Sequence, residues 1–221
     1  MQKQYVKYLI IGIQLIIFMF GIILTHKHKN VSKRQLDCKY YGVIITNLCV
    51  LNLLIFVLFD TIISIISFSG NIGIILLHLI VIMLIYDTWL YWIHRSVLHR
   101  MPWVRKQIHT VHHDAVVVPS DWLHTNIFEI LLQGIGVLIP IGMFYMLGFK
   151  FNAWSFIIFT ICKLLLEIYL HCDFKDGDFY FPHTVLVSSE FHARHHRVGG
   201  GNYSQMFTFW DYLMGTVITK D

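Results

Sequence analysis

Five histidines fall in the twenty residues from His94 to His113, which read HRSVLHRMPWVRKQIHTVHH. His109, His112 and His113 stand at i, i+3 and i+4. At about 100° per residue, the second and third lie about 60° and 40° either side of the first, so a helix would project all three from one face. Neutral imidazole is a ligand for zinc, iron, copper and nickel, and three on one face form half a coordination shell. A solvated helix that merely carries histidines is the bland alternative. A second triad, His192, His195 and His196 in FHARHH, repeats the spacing and argues against it. With His94 and His99, the three boxes offer about what two metal ions need at four ligands each. His94 and His99 are five apart, about 140° around an ideal α-helix, so they straddle a helix end or serve different metals.

The elements that must position these boxes are apolar. The chain has 221 residues, 56% of them hydrophobic and 14% charged, with mean hydropathy +0.61. That composition excludes disorder and is too apolar for an ordinary soluble domain. Cys38, Cys49, Cys162 and Cys172 show no metal or disulfide spacing. Apolar runs long enough to span a bilayer begin with the uncharged Tyr8 to Leu24, read as an uncleaved first span because no small-residue cleavage site follows it. A basic linker leads to Tyr41–Phe68, and the turn Ser69-Gly70-Asn71 to Ile72–Ile93, which delivers the chain into His94. A polar connector with Pro119, Ser120 and Asp121 precedes Ile127–Phe149, where Gly134, Gly136 and Pro140 are expected to loosen or bend the helix. Phe151–Leu170 is the fifth run.

The expected fold is therefore all-α: a multi-pass transmembrane bundle of four to five spans with a helical, histidine-rich cap holding a dimetal site. Its segments are 1–93 (N-terminal transmembrane helices), 94–126 (first histidine-box segment), 127–170 (transmembrane hairpin) and 171–221 (C-terminal histidine-box segment), with one integrated catalytic unit over about 87–216. Two crossings separate the triads, which returns both to one membrane face. With five spans, that face receives 13 of the 17 Lys and Arg, so the positive-inside rule turns it toward the cytoplasm.

From Asp87 to Thr216 the sequence resembles the fatty acid hydroxylase/sterol desaturase superfamily of membrane di-iron oxygenases. The resemblance rests on DTWLYWIHRSVLH, HTVHH, FHARHH and the closing NYSQMFTFWDYLMGT, in which Asn202, Tyr203, Trp210, Asp211, Gly215 and Thr216 match the family pattern and Ser204 replaces a glycine. It adds His124, where Thr125 stands in place of the family's proline, and His171 to the boxes. Ten ligands are thereby implied: His94, His99, His109, His112, His113, His124, His171, His192, His195 and His196. Asp87, Asp114, Glu129, Glu190 and Asp211 become candidates for holding the distal imidazole nitrogens. Of the other histidines, His26 and His28 read as solvated, His78 as hydrogen-bonded within the bundle, and His183 as a neighbour of the site.

The resemblance further implies two iron ions, dioxygen as co-substrate, and hydroxylation or desaturation of a sterol or fatty acyl lipid taken from the membrane. Electrons would come from an external donor such as a cytochrome b with its reductase, because the chain has no dinucleotide fingerprint or haem domain. Arg100, Arg105, Lys106, Arg194 and Arg197 would suit docking of that acidic carrier or contact with anionic headgroups. Trp89, Tyr91, Trp92, Trp103 and Trp122 read as an interfacial belt before a lipid slot. No nucleic-acid partner is expected, and in a eukaryote the endoplasmic reticulum membrane is the expected location. A histidine-rich metal transporter is the rival reading, and it requires histidines along a mid-span pathway. A catalytically silent scaffold around a structural zinc pair is a third.

Overall fold

The computed structural model describes residues 2–113, 116–174 and 185–219. In chain order its helices are α1 (Gln2–Lys27), α2 (Cys38–Ile65), α3 (Ile72–Ile93), α4 (Pro102–Gln107), α5 (Ile127–Met146), α6 (Ala153–Leu170), α7 (Ser189–Val198) and α8 (Phe209–Leu213). Five of them, α1, α2, α3, α5 and α6, are long and apolar enough to cross a bilayer. The chain is an all-α, multi-pass membrane bundle. Polar side chains start the later spans: Asp37 accepts from the Tyr40 N–H at 2.8 Å, Asn71 from Ile74 at 3.1 Å, Asn126 from Phe128 at 3.0 Å and Asn152 from Trp154 at 2.9 Å. Each cap satisfies an amide that the first helical turn leaves without a partner.

The two hairpin loops at the end away from the boxes are joined. Strand β1 (Ile66–Ser67) pairs in parallel with β2 (Phe151–Asn152), a short ladder that the hydrophobic pattern did not suggest. The Asn152 side chain donates to the Ser69 carbonyl at 2.9 Å, and its backbone N–H donates to His78 Nδ1 at 2.9 Å. His78 thus bonds within the bundle, as expected. Ile82, Tyr86, Ile141, Phe151 and Phe159 form the core above this clasp. Gly136 lets α3 and α5 approach closely. A Cβ there would stand 2.3 Å from the Trp89 ring, whose Nε1 donates to the Leu132 carbonyl at 2.8 Å. Pro140 is buried inside α5, which continues through it to Met146.

At the other end, the connector read as polar is a buried plug. Pro119–Leu123 forms a 3₁₀ turn with every residue buried. Ser120 meets Thr25 of α1 at 2.8 Å, Asp121 accepts from the Tyr40 hydroxyl at 2.8 Å, and Asn47 of α2 donates to the carbonyls of Leu123 and Thr125 at 2.9 and 2.7 Å. The basic linker closes over it, with Asn30 bound to Asp173 at 3.0 Å and Arg34 paired with Asp121 at 3.4 Å. His28 is not simply solvated: its ring contacts the Cys172 carbonyl, while His26 reaches the Tyr41 hydroxyl at 3.1 Å. Trp122 and Leu123 pack with Ile130, Leu164 and Ile168 in a second core directly beneath.

Candidate metal centre

Helix α3 does not end at Ile93. Its last turn, His94–His99, is a π-helix. Bonds from i to i+5 put residues five apart nearly above one another. The π turn therefore removes the 140° offset of an ideal helix and aims His94 and His99 at the same place. They meet His109 and His113 from the short 3₁₀ turn after α4, and His195 from α7, in a group of five. His112, His171, His192 and His196 form a second group of four. Each triad is split. His109 and His113 go to the first group and His112 to the second, while His195 goes to the first and His192 and His196 to the second. Helix α7 serves both, capped at its start by Ser188 on the Phe191 N–H and ended by Gly199 at φ +69°, a left-handed conformation that suits glycine.

The groups are buried and adjacent. His192 and His195 have no exposed surface, and the His113 and His196 rings stack across the two groups with centroids 4.9 Å apart. In the first group the Nε2 atoms of His94 and His109 are 3.2 Å apart, those of His99 and His109 2.9 Å, and those of His113 and His195 2.9 Å. In the second, His112 and His171 are 3.5 Å apart, His171 and His192 3.3 Å, and His192 and His196 3.1 Å. Nitrogens bound to one metal at about 2.0–2.1 Å stand about 3.0 Å apart at right angles and about 3.4 Å apart at tetrahedral angles. The observed spacings, 2.9–3.5 Å, bracket those two values.

The outer nitrogens fix the tautomers. His94 Nδ1 donates to the Tyr203 carbonyl at 2.7 Å, His195 Nδ1 to the Gly201 carbonyl at 2.6 Å, His171 Nδ1 to the Glu167 carbonyl at 2.7 Å, and His109 Nδ1 to the Glu129 carboxylate at 3.0 Å. A carbonyl or carboxylate only accepts, so each ring places a proton on Nδ1 and turns Nε2 inward, the atom a metal would take. The Nε2 atoms of His94 and His109 thus face one another at 3.2 Å, a spacing that a shared cation would satisfy. Burial first, and the neighbouring histidines second, hold His112, His192, His195 and His196 well below the ordinary imidazole value and His113 at about 3. Rings kept neutral in this way are the protonation state a metal ligand needs. The donor set fits two transition-metal ions.

The structure does not bring His124 to either group. Its ring stacks on Tyr40 with centroids 4.5 Å apart, and its Nδ1 lies 3.3 Å from Arg34. Departure of the 119–125 plug toward α2 carries it away from the histidines. Among the described acidic candidates, Glu129 touches a ligand ring, and it is steadied by the Thr125 hydroxyl at 2.7 Å. Asp87 instead accepts from the backbone N–H groups of Met206 and Phe207 at 3.0 and 3.3 Å, since a carboxylate in an apolar helix takes the donors that the closing loop brings. Glu190 pairs with Arg194 at 3.1 Å and Arg197 at 2.8 Å on the outer face of α7. Asp211 acts one step removed: it accepts from Tyr203 and Ser204 N–H at 3.0 and 2.8 Å and so holds the loop whose carbonyl binds His94. Asp114 and His183 lie outside the described residues.

Several contributors carry no side-chain signal. The carbonyls of Gly201 and Tyr203 depend on Asn202, which adopts φ +54° while its side chain donates to the Phe191 carbonyl at 3.0 Å and accepts from Ile218 N–H at 2.7 Å. Tyr203 itself packs against His94, His99 and His195 with centroids 5.7, 5.1 and 5.7 Å away.

Comparison with known proteins agrees with this geometry. The sequence model of the family described as fatty acid hydroxylase matches residues 79–216. A Dictyostelium discoideum protein provisionally named a methylsterol monooxygenase is 30% identical over 85% of this chain and 69% of its own length. Methylsterol monooxygenase 1 of Gallus gallus is 33% identical over 59% of this chain and 42% of its own. A Neurospora crassa protein provisionally named a Delta(7)-sterol 5(6)-desaturase is 28% identical over 61% and 36%. The match thus spans less than half the length of the last two. No solved structure gives a significant match.

Proposed function

Because the chain belongs to the fatty acid hydroxylase family, we propose that it is a membrane oxidoreductase that uses two irons and dioxygen to hydroxylate or desaturate a C–H bond of a sterol or fatty acyl lipid. The observation that carries this reading is the convergence of nine histidines in two adjacent groups, with the Nε2 atoms of His94 and His109 only 3.2 Å apart. His94, His99, His109, His113 and His195 would hold one iron, and His112, His171, His192 and His196 the other. Bound there, the irons would supply what no side chain here can, reduction of dioxygen to an oxidant able to take hydrogen from an unactivated carbon.

The protein's own share is positional. Burial disfavours protonation of His112, His113, His192, His195 and His196. Glu129 and the carbonyls of Gly201, Tyr203 and Glu167 hold the outer nitrogens of His109, His195, His94 and His171, and Asp211 anchors the closing loop. The Pro119–Leu123 plug and the core beneath it keep the site dry from the bundle side. Both groups lie at the ends of apolar helices, where a lipid arrives without crossing water. A transport pathway would need histidines along the spans, and His78, which lies within α3 near its far end, is already bound to the Asn152 N–H.

Electrons would come from an external cytochrome b and its reductase. Arg100, Arg105 and Lys106 are exposed on the cap to receive an acidic carrier, whereas Arg194 and Arg197 are paired with Glu190. The charge bias turns the cap to the cytoplasm, with the endoplasmic reticulum as the membrane in a eukaryote.

The test is metal analysis of the purified protein together with lipid mass spectrometry under labelled dioxygen. About two irons per chain and a labelled or desaturated lipid are expected. His112→Ala and His195→Ala should each lose metal and product. Full activity in either variant would refute the assignment.

A further inference from the structure

A cavity of about 420 Å³ lies within the membrane-spanning part, walled by α1, α2, α5 and α6. Its lining is apolar apart from Gln14, Gln133, Thr160, Lys163 and, at the cap end, the Trp122 indole N–H, which has no hydrogen-bond partner. Three of these are satisfied inside the protein. Lys163 donates to Gln133 at 3.0 Å and pairs with Glu167 at 3.3 Å, and the Thr160 hydroxyl donates to the Phe156 carbonyl at 2.8 Å. Gln14 is not: it is 5% exposed, and its Oε1 has no hydrogen-bond partner. A smaller cavity of about 70 Å³ also reaches Gln14 and continues toward Ile66 and Ala153.

From this we infer that the cavity is a binding site for a neutral lipid alcohol whose hydroxyl donates to Gln14 Oε1 deep in the membrane. A buried carbonyl without a donor is destabilising, and the ligand that removes the penalty must bring a donor. An ammonium would add a charge that this lining cannot solvate, so the donor is a hydroxyl. The rest of the ligand must be apolar to match the walls.

Depth sets its orientation. Gln14 is eleven residues, roughly 16 Å of helix, before Thr25, whose hydroxyl meets Ser120 in the cap. Trp122, Leu123 and Ile130 line the end of the cavity beneath that cap. The hydroxyl therefore points away from the metal groups and the apolar end toward them. Helices α1 and α2 lie outside the family match at 79–216, whereas α5 and α6 lie within it. Regarding the alcohol as substrate rests on the oxidoreductase reading, whereas its binding does not.

The experiment is equilibrium binding to the purified full-length protein in phosphatidylcholine nanodiscs. Dehydroergosterol and its 3-methyl ether are compared by energy transfer from tryptophan, and tritiated octadecanol and its methyl ether by direct counting. The ether keeps shape and loses the donor. At least one alcohol should bind about tenfold more tightly than its ether, the loss of one hydrogen bond, and the pair that does so tells a sterol from a straight chain. Gln14→Leu and Gln14→Met should abolish the preference while retaining wild-type metal content. His112→Ala should lose metal yet still bind the alcohol, which separates failure here from failure of the oxidation chemistry. Equal binding of alcohol and ether, binding of neither alcohol, or a preference that survives in the Gln14 variants would overturn the inference.

Discussion

Glu129 is, among the described residues, the carboxylate that touches a ligand ring, and it bonds His109 at 3.0 Å. A hydrogen bond to a charged acceptor contributes about 1.5–3 kcal/mol against about 1 for a neutral one. Glu129→Gln keeps an acceptor and removes the charge, so metal affinity should fall about tenfold, toward the lower end of what outer-shell changes cost. Titration with a competing chelator would measure it, and unchanged affinity would show that the charge is irrelevant. Acidity acts through the rings themselves. His113, ordinarily near 6.5, is held at about 3 by burial and by His109. Below pH 6.5 the unfolded chain takes up a proton that the metal-free folded state refuses until about pH 3, so stability falls through that window. Thermal unfolding of metal-free protein should show a lower Tm at pH 5 than at pH 8, and equal values would contradict the burial argument. Residue identity and spacing made the boxed histidines legible in the sequence, whereas Glu129 was one of five acidic candidates and only its contact with His109 sets it apart. The carbonyls of Tyr203 and Gly201 were not legible, because every residue has one and only the fold selects which is used.

At the scale of elements, the spacing of each triad was read as one face serving one site, and it proved to be one segment serving two. The i, i+4 pair and the odd member diverge because converging groups flank each segment. The π turn was hidden for a different reason. Nothing in HRSVLH distinguishes i→i+5 bonding from i→i+4, and the burial of His94 and His99 selects it. One alanine inserted after Ser96 should rotate His99 off the group and cost at least the metal held there. Deleting Val97 leaves an i, i+4 pair on an α-helix, still on one face, and should retain more metal than the insertion. The reverse order, read by metal content per chain, would remove the π turn from the account. The β1–β2 ladder was equally illegible, since two-residue strands leave no periodicity to read.

For the whole molecule, hydropathy and charge bias made the five spans readable, along with the return of both triads to one end. The buried plug was not readable, because its polar residues satisfy each other only after Thr25, Tyr40 and Asn47 arrive from distant segments. The charge bias predicts opposite sides for two exposed lysines, Lys106 on the cap and Lys150 in the far loop. Single cysteines at these positions, in a background with Cys38, Cys49, Cys162 and Cys172 removed, should react with an impermeant reagent from opposite faces of sealed vesicles, Lys106→Cys from the cytoplasmic side. Labelling of both from the same face would remove one crossing from the topology.

Helix α7 lends a ring to one cluster and two to its neighbour, and it follows all five spans in chain order. Neither cluster therefore has its full set of nitrogens until every span has been made. Products stopped short of His192 are left with four nitrogens on one side and two on the other. An interruption of the chain before α7 therefore depletes both clusters at once.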